Sequence, residues 1–224
     1  MKINKRLHEE GTNAILLTTA IIMVIVVLVN VIRPSQSVWH YLLYAFLLTV
    51  LVLTIRFFRV PIWRKTTIEE DMVLAPADGV VAANEVVRED EYFLDQRRQI
   101  SIFMSIYDVH INFFPFDGTV TYYKYHPGKF LVAFKPKSST DNEHNTIILK
   151  DNKGREILVR QIAGFVARRI VCTLEPGDEA VAGEELGMIR FGSRVDVFLP
   201  LDAEVKVKIG DKTVGKETVL AKLN

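Results

Sequence analysis

Glu175-Pro176-Gly177-Asp178-Glu179-Ala180-Val181-Ala182-Gly183-Glu184-Glu185-Leu186-Gly187-Met188-Ile189 reads as two short strands joined by tight turns. Pro176-Gly177-Asp178 is turn chemistry: proline presets φ, and glycine admits a left-handed backbone at no steric cost. A short apolar strand follows, then a second turn around Gly183, then a strand that ends on Met188-Ile189. The same grammar runs in both directions from this stretch. Upstream lie the β-branched runs Gly79-Val80-Val81, Gln99 to Phe103, Gly118 to Tyr125, Thr146 to Leu149 and Glu156 to Ile162; downstream lie Val195 to Leu199 and Glu204 to Ile209. Strands this short, separated by Gly, Pro and Asp, predict an all-β sandwich or barrel over residues 66–224. The polar stretch Lys135 to Asn145 is expected to be a long loop, of a length that is usually functional.

Residues 1–65 follow another rule. The chain is 49% hydrophobic, and the excess over an ordinary soluble domain sits before residue 60. Two apolar stretches, about residues 14–32 and 38–55, are separated by Arg33-Pro34-Ser35-Gln36-Ser37. Each approaches the roughly 20 residues that cross a hydrocarbon core of about 30 Å. Trp39, Tyr41, Tyr44 and Trp63 lie near the ends, where amphipathic rings favour the interface. A signal peptide is disfavoured, because no small-residue cleavage site follows and a second apolar segment comes at once. Lys2, Lys5 and Arg6 precede the first span, and Arg56, Arg59, Arg64 and Lys65 follow the second. Only Arg33 and His40 lie between. The positive-inside rule then puts both termini in the cytoplasm, with residues 1–65 as a membrane-anchoring hairpin. A re-entrant hairpin that only enters the membrane has the same sidedness.

Net charge is +1, so nothing global argues for nucleic acid. The single cysteine, Cys172, sits between Val171 and Thr173 and is expected to be a buried small hydrophobe. His110, His126 and His144 are 16 and 18 residues apart, without short ligand spacing, so no metal site is expected.

Three stretches carry chemistry when taken together: Pro76-Ala77-Asp78-Gly79, Tyr107-Asp108-Val109-His110-Ile111-Asn112, and Arg190-Phe191-Gly192-Ser193-Arg194-Val195-Asp196. Each alone is unremarkable, as Asp-Gly is a common turn and Gly-Ser occurs everywhere. In this order, after a hydrophobic hairpin and with about 32 residues from the serine to the C-terminus, they resemble phosphatidylserine decarboxylases of the short membrane-anchored type. The resemblance extends through Pro127-Gly128-Lys129-Phe130, Asn142-Glu143 and Ala163-Gly164-Phe165-Val166-Ala167-Arg168-Arg169-Ile170. Phe191-Gly192-Ser193-Arg194 looks like the family's autocleavage site, where longer relatives carry Leu-Gly-Ser-Thr. The stretch Glu175 to Ile189 separately resembles the hammerhead of biotinyl and lipoyl domains, which implies a barrel-sandwich hybrid for the catalytic domain.

The resemblance implies a proenzyme that cleaves itself between Gly192 and Ser193. The Ser193 hydroxyl attacks the Gly192 carbonyl carbon and shifts the acyl group from nitrogen to oxygen. Glycine leaves that carbonyl open and permits a strained turn. β-Elimination then releases residues 1–192 and leaves dehydroalanine, which hydrolyses to a pyruvoyl group and ammonia. The pyruvoyl cofactor forms a Schiff base with the amine of phosphatidylserine, carbon dioxide leaves, and phosphatidylethanolamine is released. By the same resemblance Asp78 is the acidic member of the maturation machinery. His110 matches the first histidine of the family's Asp-x-His motif and is expected to serve both steps. Longer relatives carry a second histidine three residues on, where this chain has Phe113, so their division of labour does not transfer. Asp108 and Asn112 are expected to be a turn and a backbone anchor. Arg168 and Arg169 are candidates for the lipid phosphate, since guanidinium forks match phosphate geometry. The implied partners are phosphatidylserine in the cell membrane and the two cleavage fragments bound to each other, with a higher oligomer left open. The implied location is the cytoplasmic side, and no metal is needed.

Other functions compete. Archaetidylserine decarboxylases share the motifs and the reacting head group. A membrane-anchored barrel-sandwich adaptor would need no active serine, but usually interrupts the hammerhead with a long helical hairpin. A lipoyl or biotinyl carrier would need a lysine at the tip of the hammerhead turn, and none is found there.

Overall fold

The computed structural model describes residues 6–67, 69–128, 142–164, 169–190 and 193–224. They fall into two units, one ending at Ile62 and one running from Trp63 to Asn224. Phe191 and Gly192, with residues 135–141 of the expected loop, lie outside the described residues.

The first unit is a pair of helices, α1 (Glu10–Ile32) and α2 (Val38–Phe57). Both are long and apolar enough to cross a membrane. Leu16, Val27 and Val31 on α1, and Val38, Leu42 and Phe46 on α2, are more than half exposed. A helix of a water-soluble core would bury such residues, so this surface suits lipid. Thr19, Asn30, Thr49 and Thr54 each donate to the carbonyl four residues back. Asn30 donates to the Val26 carbonyl at 2.7 Å and to the Tyr44 hydroxyl at 2.6 Å, which joins the two helices. Ser37 and His40 form a capping box at the start of α2.

The second unit is β. Its strands are β1 (Met72–Leu74), β2 (Gly79–Arg88), β3 (Gln96–Met104), β4 (Ile111–Phe113), β5 (Gly118–His126), β6 (His144–Asp151) and β7 (Glu156–Ala163). There follow β8 (Ile170–Val171), β9 (Glu179–Ala180), β10 (Glu185–Ile189), β11 (Ser193–Leu199), β12 (Glu204–Val205), β13 (Lys212–Thr213) and β14 (Val219–Lys222). Eight of them form one curled antiparallel sheet in the order β13-β2-β3-β11-β7-β6-β5-β9. Two three-stranded sheets, β4-β10-β8 and β1-β14-β12, complete the unit. Register shifts between Val81 and Ala83 in β2, and between Val120 and Tyr122 in β5, mark bulges. Bulges bend a strand and increase its twist, which is how a sheet this wide curls into a half-barrel.

Several expected boundaries change: β2 continues past Val81 to Arg88, β3 spans Gln96–Met104, and β11 begins at Ser193. His144 and Asn145 are the first residues of β6, paired with Ile162 and Gln161, so the sheet captures the end of the expected loop. Glu204 to Ile209 is a strand only over Glu204–Val205, because Gly210 turns back toward β2 with its N–H on the Val81 carbonyl.

The core fills the concave side of the large sheet. Ile100, Ile102 and Met104 of β3, Val195, Val197 and Leu199 of β11, Ile157 and Val159 of β7, and Ile147 and Leu149 of β6 pack together there. They alternate along each strand as the two-residue period requires. The opposite face carries Ile148, Leu158 and Phe198 and a polar network. All seven residues of β11 are buried, because this strand lies inside the sheet with both faces covered.

Candidate active site

The period of two places Ser193 on the core side of β11, with Val195 and Val197. Ser193 pairs with Met104 on one side and Ala163 on the other, and it is fully buried. Its hydroxyl contacts the Met104 sulfur at 3.2 Å. The Asn112 amide reaches the same sulfur from β4 at 3.7 Å. Met104 therefore bridges the cleavage serine and the strand that begins just after His110.

His110 is fully buried. Its carbonyl accepts from Ile189 N–H at 3.2 Å, which sets it beside the strand that leads into the cleavage segment. Its ring Nδ1 lies 3.1 Å from the Asp108 carbonyl. A carbonyl only accepts, so Nδ1 bears a proton, and whenever the ring is neutral its lone pair is on Nε2. Asp108 makes the expected turn, accepting from Ser105 N–H at 2.8 Å.

Asp78 closes the turn between β1 and β2. Gly79 follows it with φ +155°, and a Cβ there would collide with the Phe103 carbonyl, so only glycine lets β2 approach β3 this closely. Four donors converge on the Asp78 carboxylate. Arg64 donates from both terminal nitrogens, at 2.6 and 2.7 Å. Gly215 N–H donates at 2.8 Å, and Val109 N–H, next to His110, lies at 3.4 Å. Asp78 and the His110 segment are thus tied together through backbone. Phe113 packs against Gly215, and the Lys216 ammonium lies 5.5 Å from its ring centre.

Several residues escaped the sequence. Arg64 was counted with the cations that orient the hairpin, but its fork holds Asp78. Asn112 is no simple backbone anchor. Its Oδ1 accepts from Gln161 at 2.6 Å, and Gln161 Oε1 accepts from Asn145 at 2.8 Å, a buried amide chain that ends beside Met104. The signal was present: Gln161 shares parity with Ile157 and Val159, so a polar residue stood at a core position. Gly128 lies against the backbone of Asn142 and Glu143, with no space for a Cβ. Arg169 is exposed, and its carbonyl accepts from Arg190 N–H at 3.2 Å, close in sequence to the cleavage segment. Arg168 and Gly192 lie outside the described residues. Arg194, from the cleavage motif, turns to the opposite face and forks onto Asp196, with both contacts at 2.7 Å.

That opposite face holds a cavity of about 850 Å³ bordered by Glu89, Glu91, His126, His144, Arg160 and Arg194. Glu91, His126 and His144 bring their ligating atoms within 4.8 Å of one another, a group that histidine spacing alone did not reveal. The two imidazoles are stacked at 4.4 Å with an interplanar angle of 11°, so their in-plane lone pairs run nearly parallel instead of converging on one ion. Arg160, at 3.0 Å, is already bonded to Glu91.

Similarity to known proteins gives the class. Residues 50–221 match the family model described as phosphatidylserine decarboxylase. The chain is 44% identical to the phosphatidylserine decarboxylase proenzyme of Cytophaga hutchinsonii, over 96% of its own length and 97% of that protein. It is 46% identical to the proenzyme of that name from Amoebophilus asiaticus, with 97% and 96% covered. It is 45% identical to the one from Phocaeicola vulgatus, with 97% and 95% covered. The chain is a decarboxylase made as a proenzyme. It belongs to the phosphatidylserine decarboxylase family.

Proposed function

We propose that this protein converts phosphatidylserine to phosphatidylethanolamine, using a pyruvoyl group that it makes from its own Ser193. The observation that carries this is the place of Ser193: fully buried, at the head of an interior strand, directly after Gly192. Scission of the 192–193 bond leaves β11 paired along both edges, so residue 193 keeps its position after it loses its peptide bond. The fragment 193–224 also supplies β14, which pairs with its own β12 on one side and with β1 on the other, and β13, which pairs with β2. The two fragments therefore remain one folded body.

Each residue has a task that its surroundings support. His110, through Nε2, accepts the Ser193 proton in maturation and passes it to the departing nitrogen; in each later turnover, recharged with a proton from solvent, it donates to the product carbon. Asp78 fixes the segment that carries His110. Burial of Ser193 keeps bulk water from hydrolysing the ester that the acyl shift creates, so elimination at Cα prevails. The pyruvoyl group, held at position 193 on β11, supplies a carbonyl for the substrate amine and an electron sink for loss of carbon dioxide. Arg169, exposed beside the cleavage segment, is placed here as the cation for the lipid phosphate. The hairpin holds the enzyme in the cell membrane with residues 63–224 on the cytoplasmic side, as Arg6, Arg56 and Arg59 at its open end favour.

The test is intact-mass analysis and assay of the purified full-length protein. Wild type is expected as two fragments, the smaller beginning with pyruvoyl at 193, and Ser193→Ala as one uncut, inactive chain. An active, uncut wild-type chain with serine at 193 overturns the mechanism. Parallel assays with phosphatidylserine and archaetidylserine identify the lipid backbone that the enzyme takes.

A further inference from the structure

Asp78 is a carboxylate with a side-chain exposure of 9%, and its counter-charge does not come from the β-sheets. It comes from Arg64, the second residue after the helical unit ends at Ile62. Arg64 is itself only 11% exposed. Both terminal nitrogens of the guanidinium meet both carboxylate oxygens, the two-point geometry that fixes orientation as well as charge. The remaining donors come from elsewhere in the chain. Val109 N–H belongs to the residue before His110, and Gly215 N–H belongs to the 193–224 fragment. Three separate segments thus meet on one carboxylate, and only Arg64 brings a charge to it among these donors.

We infer that Arg64 is the positioning residue for Asp78 in self-processing, so that maturation depends on the sequence just after the membrane hairpin. This rests on the proposed role of Asp78 in maturation. Two backbone N–H groups each hold one oxygen, but neither neutralises a buried carboxylate, and a buried charge that loses its partner draws in water or reorients. Either response shifts the turn that pins Val109, and with it His110. Arg64 acts through Asp78 and is not itself a catalytic residue. Arg64, counted among the cations that orient the hairpin, thus has an internal partner, and Arg56, Arg59 and Lys65 remain for the lipid surface.

The test follows self-cleavage of radiolabelled full-length chain made by cell-free synthesis in lipid nanodiscs. Arg64→Ala is expected to slow cleavage by about tenfold or more, the scale expected for unpairing a buried carboxylate. Arg64→Lys, which keeps the charge but loses the fork, is expected to fall between Arg64→Ala and wild type. Guanidinium chloride below denaturing concentration is expected to restore part of the rate in Arg64→Ala, whereas sodium chloride of equal ionic strength does not. In Arg64→Ala combined with Asp78→Asn, guanidinium is expected to restore nothing. A purely structural arginine would not respond to a free guanidinium in this Asp78-dependent way. Wild-type cleavage in Arg64→Ala overturns the inference, as does slow cleavage that guanidinium does not restore. Asp78→Asn measured alone separates the two levels. If Asp78→Asn is slow while Arg64→Ala is normal, only this inference falls; if Asp78→Asn is normal, the role of Asp78 falls with it.

Discussion

Ser193 belongs to a strand, and this sets the outcome of substituting it. Its hydroxyl touches only the Met104 sulfur among its described side-chain contacts, so Ser193→Ala removes one weak bond and leaves the strand pairing intact. Ser193→Cys and Ser193→Thr keep a nucleophile, and both are expected to cleave more slowly than serine. Threonine adds a methyl to a fully buried site, so its defect should include a loss of stability that cysteine does not share. His144 provides a second test at this scale. Burial pushes its imidazole below its ordinary value of 6.5, and the nearby Arg160 charge adds to that, against the bond to the Asn142 carbonyl. The folded protein therefore binds fewer protons at this residue than the unfolded chain does. Stability is expected to fall as pH drops through 6.5 and to keep falling until His144 titrates in the folded state. Glu91 acts lower. Burial raises it, but the bonds from Thr146 and His126 and the Arg160 charge outweigh burial, so its contribution is lost only below its ordinary 4.5. Thermal unfolding between pH 7 and 5 should show a shallower decline for His144→Gln than for wild type. An unchanged slope would remove His144 as the cause.

The elements show what the period of two reveals in a sequence and what it hides. β11 was legible from Val195, Val197 and Leu199, but not its extension back to Ser193, which the same parity puts on the core side. β5 and β7 were legible for the same reason, to within a residue at each end. Bulges were not, since a one-residue shift in β2 or β5 leaves the local composition unchanged. Nor was the amide chain, whose three members come from β4, β6 and β7 and meet only through the register of the sheets. Arg64 was hidden differently: a cation beside an apolar span has a sufficient explanation in topology, and only the fold brings Asp78 to it. The amide chain gives a prediction at this scale. Gln161 satisfies Asn112 on one side and Asn145 on the other, so Gln161→Leu strands two buried polar groups at once. Each such group costs about 1–3 kcal/mol. Denaturant unfolding of the uncleavable Ser193→Ala protein should therefore register a loss of about 2 kcal/mol or more. In the cleavable background the same change is expected to slow maturation, because Asn112 and Ser193 share Met104. Unaltered stability would mean that the neighbours find other partners.

For the whole molecule, the proposed function divides the work of the two units between chemistry and delivery. The proposed substrate has its reacting amine and carboxylate only a few ångströms above the phosphate, so residue 193 has to work at head-group depth. A free β unit would meet the lipid only by collision, whereas two apolar helices inserted as proposed would hold it at the surface. Each additional basic side chain near an anionic surface contributes about 1 kcal/mol, so Arg56, Arg59 and Lys65 add to that attachment. The residues proposed for cleavage all lie after Ile62, and Arg64 falls on the same side of that division. The informative truncation therefore begins at Trp63, since a chain beginning at Thr66 would lose the charge that holds Asp78. The chain beginning at Trp63 is expected to fold and to cleave itself at close to the wild-type rate. Its turnover on phosphatidylserine in bilayers should fall far more than its turnover on a short-chain, soluble phosphatidylserine, because only the first substrate needs the anchor. Comparing the two rates in one preparation cancels differences in the fraction matured. An equal loss on both substrates would mean that the helices support the β unit's fold, and the division of labour would have to be abandoned.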